Sequence, residues 1–200
     1  MMSSKQKERD ILSILVARGE RELTQKMIDA GIDVNGKNSR TGWTPLMDAV
    51  SNGQREIAEL LIENGAVVDL DCNGMTPLGK AALEGDDDMA ALLIDNGANV
   101  NAIGPGGTPV LIAAVYSGNL NLIKLLIENG ANGNARNKEG NTALTIASMQ
   151  GELRIAEELI KNGANVNVTS RRGETPLKAA YYQGNQAMID LLKRNGAKKS

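Results

Sequence analysis

The chain has 200 residues, 42% apolar and 23% charged, with a formal net charge of −2, so it has room for one or two globular domains but lacks the basic surplus of a nucleic-acid or acidic-membrane binder. No run of about 18 apolar residues occurs, the opening "MMSSKQKERD" lacks the apolar stretch of a secretory signal, and a lone Cys72 leaves no intramolecular disulfide, so a cytoplasmic location is expected. Aromatics are 2% and histidine is absent, which leaves Leu, Ile, Ala, Val and Met to build the core and removes the commonest general base and metal ligand.

Residues 1–9 read as a polar N-terminal tail. From residue 10 a pattern begins in which Leu12 precedes Gly19 by seven positions and Gly31 follows Gly19 by twelve. The same interval joins Gly53 to Gly65, Gly85 to Gly97, Gly118 to Gly130, Gly151 to Gly163 and Gly184 to Gly196. A leucine stands seven residues ahead each time, at Leu46, Leu78, Leu111, Leu144 and Leu177. Six units follow, starting near residues 10, 42, 74, 107, 140 and 173, and together they make one domain over 10–197 with a tail at 198–200.

Within a unit the elements run in a fixed order. "TPL" opens the first helix, with threonine accepting a backbone hydrogen bond and proline in the first helical position. The first glycine makes the turn. The second helix, as in "EIAELLIEN" and "NLIKLLIEN", carries apolar residues at helical spacing: Ile57, Leu60 and Leu61, or Leu122, Leu125 and Leu126. The second glycine then takes the left-handed conformation past the helix end, and "ANVNA" or "ANGNARNKEG" supplies a hairpin-like loop. One such unit buries too little apolar surface to offset the ordering of its own backbone, so neighbours must stack and the ends need polar caps. Lys26 at the first unit, and Lys193, Arg194, Lys198 and Lys199 at the last, are read as those caps.

These residues resemble the ankyrin repeat family. The matches to its T-P-L-H-x-A signature are "TPLMDAV", "TPLGKAA", "PVLIAAV", "TALTIAS" and "TPLKAAY", in phase over nearly the whole chain. The resemblance implies an all-α repeat solenoid of paired antiparallel helices, a concave surface lined by the first helices, and a role as a protein-binding module rather than an enzyme. Two departures stand out. Met47, Gly79, Ile112, Thr145 and Lys178 replace the family histidine, so the bonds it makes between neighbours must be absent or replaced. In the unit starting near 107 the threonine and proline shift to Thr108 and Pro109, which should disturb that helix start.

Other motifs read as structural. "GPGGT" at 104–108 lacks the lysine of a phosphate loop and sits in a hairpin. Asp86, Asp87 and Asp88 open a second helix, where acids cap free amides and oppose the helix dipole. Asn35, Asn101, Asn134 and Asn167 recur beside each turn, as local side-chain to backbone bonding would require. No cofactor or metal is expected.

One column is not needed by the core. At the end of each first helix stand Ala17, Ser51, Leu83, Tyr116, Met149 and Tyr182, the last four large and apolar, as a partner surface would be. Beside it run Asn52, Glu84, Ser117, Gln150 and Gln183. Asp48, Lys80, Ala113, Ile146 and Ala179 share the face. Hairpin tips add a second row, Trp43, Met75, Thr108, Asn141 and Glu174. Arg136, Lys138, Arg171 and Arg172 crowd the last two tips, where they would steer an acidic partner. Tyr181 is read instead as a cover for the end of the core. The partner-binding set is thus Trp43, Met75, Leu83, Tyr116, Met149, Tyr182, Asn52, Glu84, Ser117, Gln150, Gln183, Arg136, Arg171 and Arg172. It is expected to engage an unidentified protein, with the chain monomeric on its own; the alternative is a small ligand or nucleic acid on the basic C-terminal tips.

Overall fold

The computed structural model describes residues 3–198; of the expected cap residues, Lys199 lies outside them. Six helix pairs follow in order: α1 (Ser4–Ala17) with α2 (Arg21–Asp29), α3 (Pro45–Ser51) with α4 (Arg55–Glu63), α5 (Pro77–Glu84) with α6 (Asp87–Asp95), α7 (Val110–Ser117) with α8 (Leu120–Glu128), α9 (Ala143–Gln150) with α10 (Leu153–Lys161), and α11 (Pro176–Tyr182) with α12 (Gln186–Arg194). The first helix starts at Ser4, inside the segment read as a tail. Ser3 caps it by accepting from the Gln6 amide, and Gln6 binds the Asp10 carboxylate one turn on.

The described residues fall into two compact units. One holds Asp88–Asn99 and everything up to Ala81; the other holds Ala82–Asp87 and everything from Val100 on. In the first, α1 packs on α2 and α3, and α4 packs on α2 and α3. In the second, α7, α9 and α11 form one row and α8, α10 and α12 another, with each pair packed across the rows.

The sequence pattern explains the elements. All six pattern leucines, from Leu12 to Leu177, are buried. Thr44, Thr76, Thr142 and Thr175 accept from the amide three residues on, at 3.2–3.4 Å. The unit near 107 departs as expected: Thr108 and Pro109 lie in a two-residue strand β2 (Thr108–Pro109), paired antiparallel with β1 (Ile103–Gly104), so α7 opens on Pro109 without a side-chain cap. "GPGGT" closes this small hairpin through a single turn of 3₁₀ helix, Pro105–Gly107. Second helices end alike. Gly65 has φ +88, and Ala66 donates back to the Leu61 carbonyl at 2.9 Å, while the Asn64 side chain satisfies the Leu60 carbonyl at 2.8 Å. The asparagine of each later "NGA" does the same one turn back.

The positions that replace histidine make no side-chain bond to a neighbouring unit. Met47 and Ile112 are buried apolar packing, Thr145 meets Thr142 in its own turn at 3.2 Å, and Lys178 donates to the Gly173 carbonyl at 3.0 Å. At Gly79 an added Cβ would lie 3.2 Å from Met75 Sδ.

The link between neighbours lies elsewhere, and it corrects the reading of the recurrent asparagines as local turn formers. Asn35 donates to the Gly65 carbonyl at 2.9 Å and accepts from the Val67 amide at 2.8 Å. Asn101 spans Gly130 and Asn132, Asn134 spans Gly163 and Asn165, and Asn167 spans Gly196 and Lys198, with the same polarity. A planar amide offers a donor and an acceptor together, and the next loop presents a carbonyl and an N–H two residues apart to receive both. Asp69 occupies the equivalent position. Its carboxylate accepts from the Asn99 amide at 3.0 Å but has no hydrogen to donate.

The expected polar cap at the first unit is incomplete. Lys26 is exposed as read, yet Ile11, Ile14 and Leu23 are also 40–50% exposed on α1 and α2.

Replacing Asn134 with alanine removes both bonds of one link and should cost about 1–2 kcal/mol in urea unfolding. Asn134→Asp, which keeps the acceptor, should lose less. Asn121→Ala on the surface of α8 should stay within about 0.5 kcal/mol; equal losses for Asn121 and Asn134 would refute the linking role.

Candidate functional site

The last turns of the first helices place the predicted column. Leu83 ends α5 at 42% exposed, Tyr116 ends α7 at 47%, and Tyr182 ends α11 at 77%; Met149 on α9 is half-buried. All four belong to the second unit. One residue earlier the chain faces inward: Ala82, Val115 and Ser148 are fully buried. Helical geometry turns successive positions by about 100°, so the residue after a core position is left at the surface. Tyr181 continues the buried column but remains 41% exposed, and the Lys193 ammonium lies 5.5 Å from its ring centre.

The polar row divides. Glu84, Gln150 and Gln183 are exposed. Asn52 and Ser117 spend their side chains on helix ends, donating to the carbonyls of Asp48 and Ala114 at 2.8 Å. The tip row, Trp43, Met75, Thr108, Asn141 and Glu174, is half-buried throughout. In the first unit the Lys80 ammonium stands 5.7 Å from the Trp43 ring centre, a cation–π contact.

A cleft of about 300 Å³ joins column to tips in the second unit. Met149, Tyr182, Gln183, Ala179, Asn141, Glu174 and Arg172 line it together with Glu139 and Ser170. Of the expected partner-binding set, the structure brings Met149, Tyr182, Gln183 and Arg172 together in this cleft, beside Asn141 and Glu174 of the tip row. Arg136 and Arg171 are exposed outside it. Glu139 was not singled out from the sequence. It lies one position before the tip glycine Gly140, as Arg172 lies before Gly173, and alignment on that position would have paired them. The Arg171 amide donates to the Glu139 carbonyl at 2.9 Å, and a Cβ on Gly140 (φ +81) would come within 3.0 Å of the Arg171 nitrogen, so only glycine permits this approach.

Burial, with the Glu139 carboxylate adding to it, lifts the Tyr116 phenol above its ordinary range. The hydroxyl stays protonated, able to donate and to accept. The buried Asn141 Oδ1 has no hydrogen-bond partner.

In the first unit a second cleft, about 410 Å³, is lined by Asp10, Ser13, Ile14, Asn38, Ser39 and Arg40. Its polar groups satisfy one another. Asp10 accepts from the Ser39 amide and hydroxyl, both at 2.7 Å, and the amide bond above all lowers its carboxyl below the usual range. Asp48, on the face shared with the column, is buried and accepts from Ser13 Oγ at 2.6 Å and Asn38 Nδ2 at 3.2 Å. Burial raises its carboxyl, against those bonds and the charge of Arg40.

The arrangement defines a helical repeat protein with an accessible apolar column beside a polar cleft, and comparison with known proteins gives its family. The family model for ankyrin repeats in three copies matches residues 12–103 and again 108–200. The chain belongs to the ankyrin repeat family. It is 40% identical over 45 residues to the 2-5A-dependent ribonuclease of Homo sapiens, 22% of this chain and 6% of that protein. To Dauer abnormal formation protein 25 of Caenorhabditis elegans it is 38% identical over 56 residues, 28% of this chain and 14% of that one. To the Ankyrin repeat and SAM domain-containing protein 6 of Rattus norvegicus it is 36% identical over 59 residues, 30% and 7%. The matched stretches thus cover a small part of each relative. Ankyrin repeats are in general protein-interaction modules and typically non-catalytic, and among the described residues no helix is long and apolar enough to cross a membrane.

A raised folded-state pKa makes the protonated Asp48 the stabilising form. Its contribution is present below the unfolded value of about 3.9 and lost as pH rises through the folded one. Asp48→Asn should therefore gain stability relative to wild type between pH 3 and pH 7, read from thermal midpoints across that range. A gap that shrinks with rising pH would overturn the assignment.

Proposed function

We propose that the chain is a non-enzymatic module that grips a partner protein across the concave face formed by first helices and hairpin tips. One observation carries the reading: successive first helices end in large apolar side chains, Leu83, Tyr116, Met149 and Tyr182, three of them more than 40% exposed and the fourth half-buried. Exposed contiguous apolar surface of this kind is costly unless covered, and Tyr and Met are favoured at interface centres. Glu84, Gln150 and Gln183 form its polar margin, and Trp43 and Met75, at the tips of the other compact unit, are proposed as that unit's own partner contacts.

Family membership supports a binding role, and the enzyme among the relatives shares only a short repeat stretch with this chain. The reading of the C-terminal tips as a polyanion site is disfavoured, because Glu139 and Glu174 stand among Arg136, Lys138, Arg171 and Arg172.

Leu83→Ala combined with Tyr182→Ala should weaken partner binding by about 2 kcal/mol or more. The partner is recovered by pull-down from the native cell and titrated calorimetrically against both forms. Tyr182→Ala should leave the thermal midpoint nearly unchanged, since its side chain is mostly in solvent. Undiminished affinity, or a collapse of stability, would sink the proposal.

A further inference from the structure

The chain contains nine Asn–Gly pairs, and the fold treats one of them differently. Such a pair carries chemistry of its own. Glycine has no Cβ to shield its nitrogen, so that nitrogen can close a ring on the carbon of the preceding side-chain amide. In eight pairs, from Asn35–Gly36 to Asn195–Gly196, the glycine N–H donates to an oxygen of its own turn. In the same eight the asparagine Nδ2 donates to a backbone carbonyl. Attacking nitrogen and leaving group are both held.

Asn132–Gly133, in the loop between α8 and α9, has neither restraint. Among the described residues the Gly133 N–H and the Asn132 Nδ2 donate to no protein atom, and Asn132 is exposed to water. Its Oδ1 accepts from the Asn134 amide at 3.0 Å. That bond folds the side chain over the Gly133 peptide, and it places a donor where negative charge develops as the amide carbon is attacked.

We propose that Asn132 is a site of self-modification, converted through a cyclic imide with Gly133 to aspartate or isoaspartate. The Gly133 nitrogen loses its proton to hydroxide and bonds to Asn132 Cγ. The Cγ–Nδ2 bond breaks, and the nitrogen leaves as ammonia after taking a proton from water. Water then adds to one of the two imide carbonyls and cleaves its bond to the Gly133 nitrogen. Opening at one carbonyl gives aspartate, and at the other isoaspartate, in which the main chain runs through the former side chain and gains a methylene. The position matters because Asn132 stands in the ladder between loops: its amide donates to Asn101 Oδ1 at 2.8 Å, and Asn134, two residues on, reaches Gly163 and Asn165. Isoaspartate lengthens the path between these two links and takes them out of phase. Aspartate keeps both the path and the Oδ1 acceptor.

The test is incubation of the full chain in mildly alkaline buffer, with peptide mapping by mass spectrometry to follow amide-to-acid conversion at all nine pairs. Asn132 should convert about fivefold faster, or more, than any other, the factor expected from one hydrogen bond that need not be broken, and its rate should rise with pH. In urea, where the fold no longer restrains the other eight, that lead should vanish. Gly133→Ala separates chemistry from folding: Gly133 lacks a positive φ and an added Cβ meets nothing within 4 Å, so the urea midpoint should hold while conversion slows several-fold. The purified isoaspartyl form should unfold at lower urea than Asn132→Asp. Conversion at Asn132 no faster than elsewhere, or the same lead in urea as in the folded chain, overturns the site. Equal midpoints for the isoaspartyl form and Asn132→Asp overturn its effect on the ladder.

Discussion

A side-chain amide that reaches from one loop into the next does for this chain what the family histidine does elsewhere. Asn35, Asn101, Asn134 and Asn167 each lend a donor to a glycine carbonyl and an acceptor to an amide two residues further on. Each pair of bonds is modest in net free energy, but it fixes register: a slip of one residue would leave the carbonyl and the N–H facing the wrong atoms. Apolar packing of the leucine columns supplies most of the stability, and the amides decide which packing is the native one.

Register is what turns sequence columns into a surface. In the second unit α7, α9 and α11 are packed side by side, so Tyr116, Met149 and Tyr182, each at the end of its helix, fall into a row. Without fixed phase these side chains would be unrelated exposed hydrophobes. With it, Met149 and Tyr182 come to line one cleft together with polar residues of the loop tips. Scaffold and site thus use one device, and the loops that carry the linking amides run directly into the tips that carry Glu139, Asn141, Arg172 and Glu174.

Much of this was legible before any coordinates. The glycine spacing, the leucine seven residues ahead, the "TPL" openings and the helical spacing of the apolar residues together mark a helix pair in each unit; Thr108 and Pro109 mark the disturbed start of α7; and the column ending in Tyr182 follows from counting outward from the core. What stayed hidden depended on direction rather than type. An asparagine beside a turn looks the same whether it bonds to its own loop or to the next, and only the path of the neighbouring backbone decides. Glu139 was passed over because a charge at a loop tip is ordinarily solvated; its carboxylate matters through its proximity to Tyr116 and the cleft, which no local pattern encodes. Helix α1 was placed too late because polar residues were read as a tail, although Ser3, Gln6 and Asp10 bond along a helix as readily as apolar ones pack.

The scarcity of large rings has an experimental corollary. The chain has one tryptophan, and that indole is half-buried at the first complete hairpin tip with an ammonium 5.7 Å from its centre. Its fluorescence is therefore a label already in position: excited selectively, the protein emits from a single address, and any change in colour or lifetime reports the surroundings of Trp43 and of Lys80 above it, with no dye to attach.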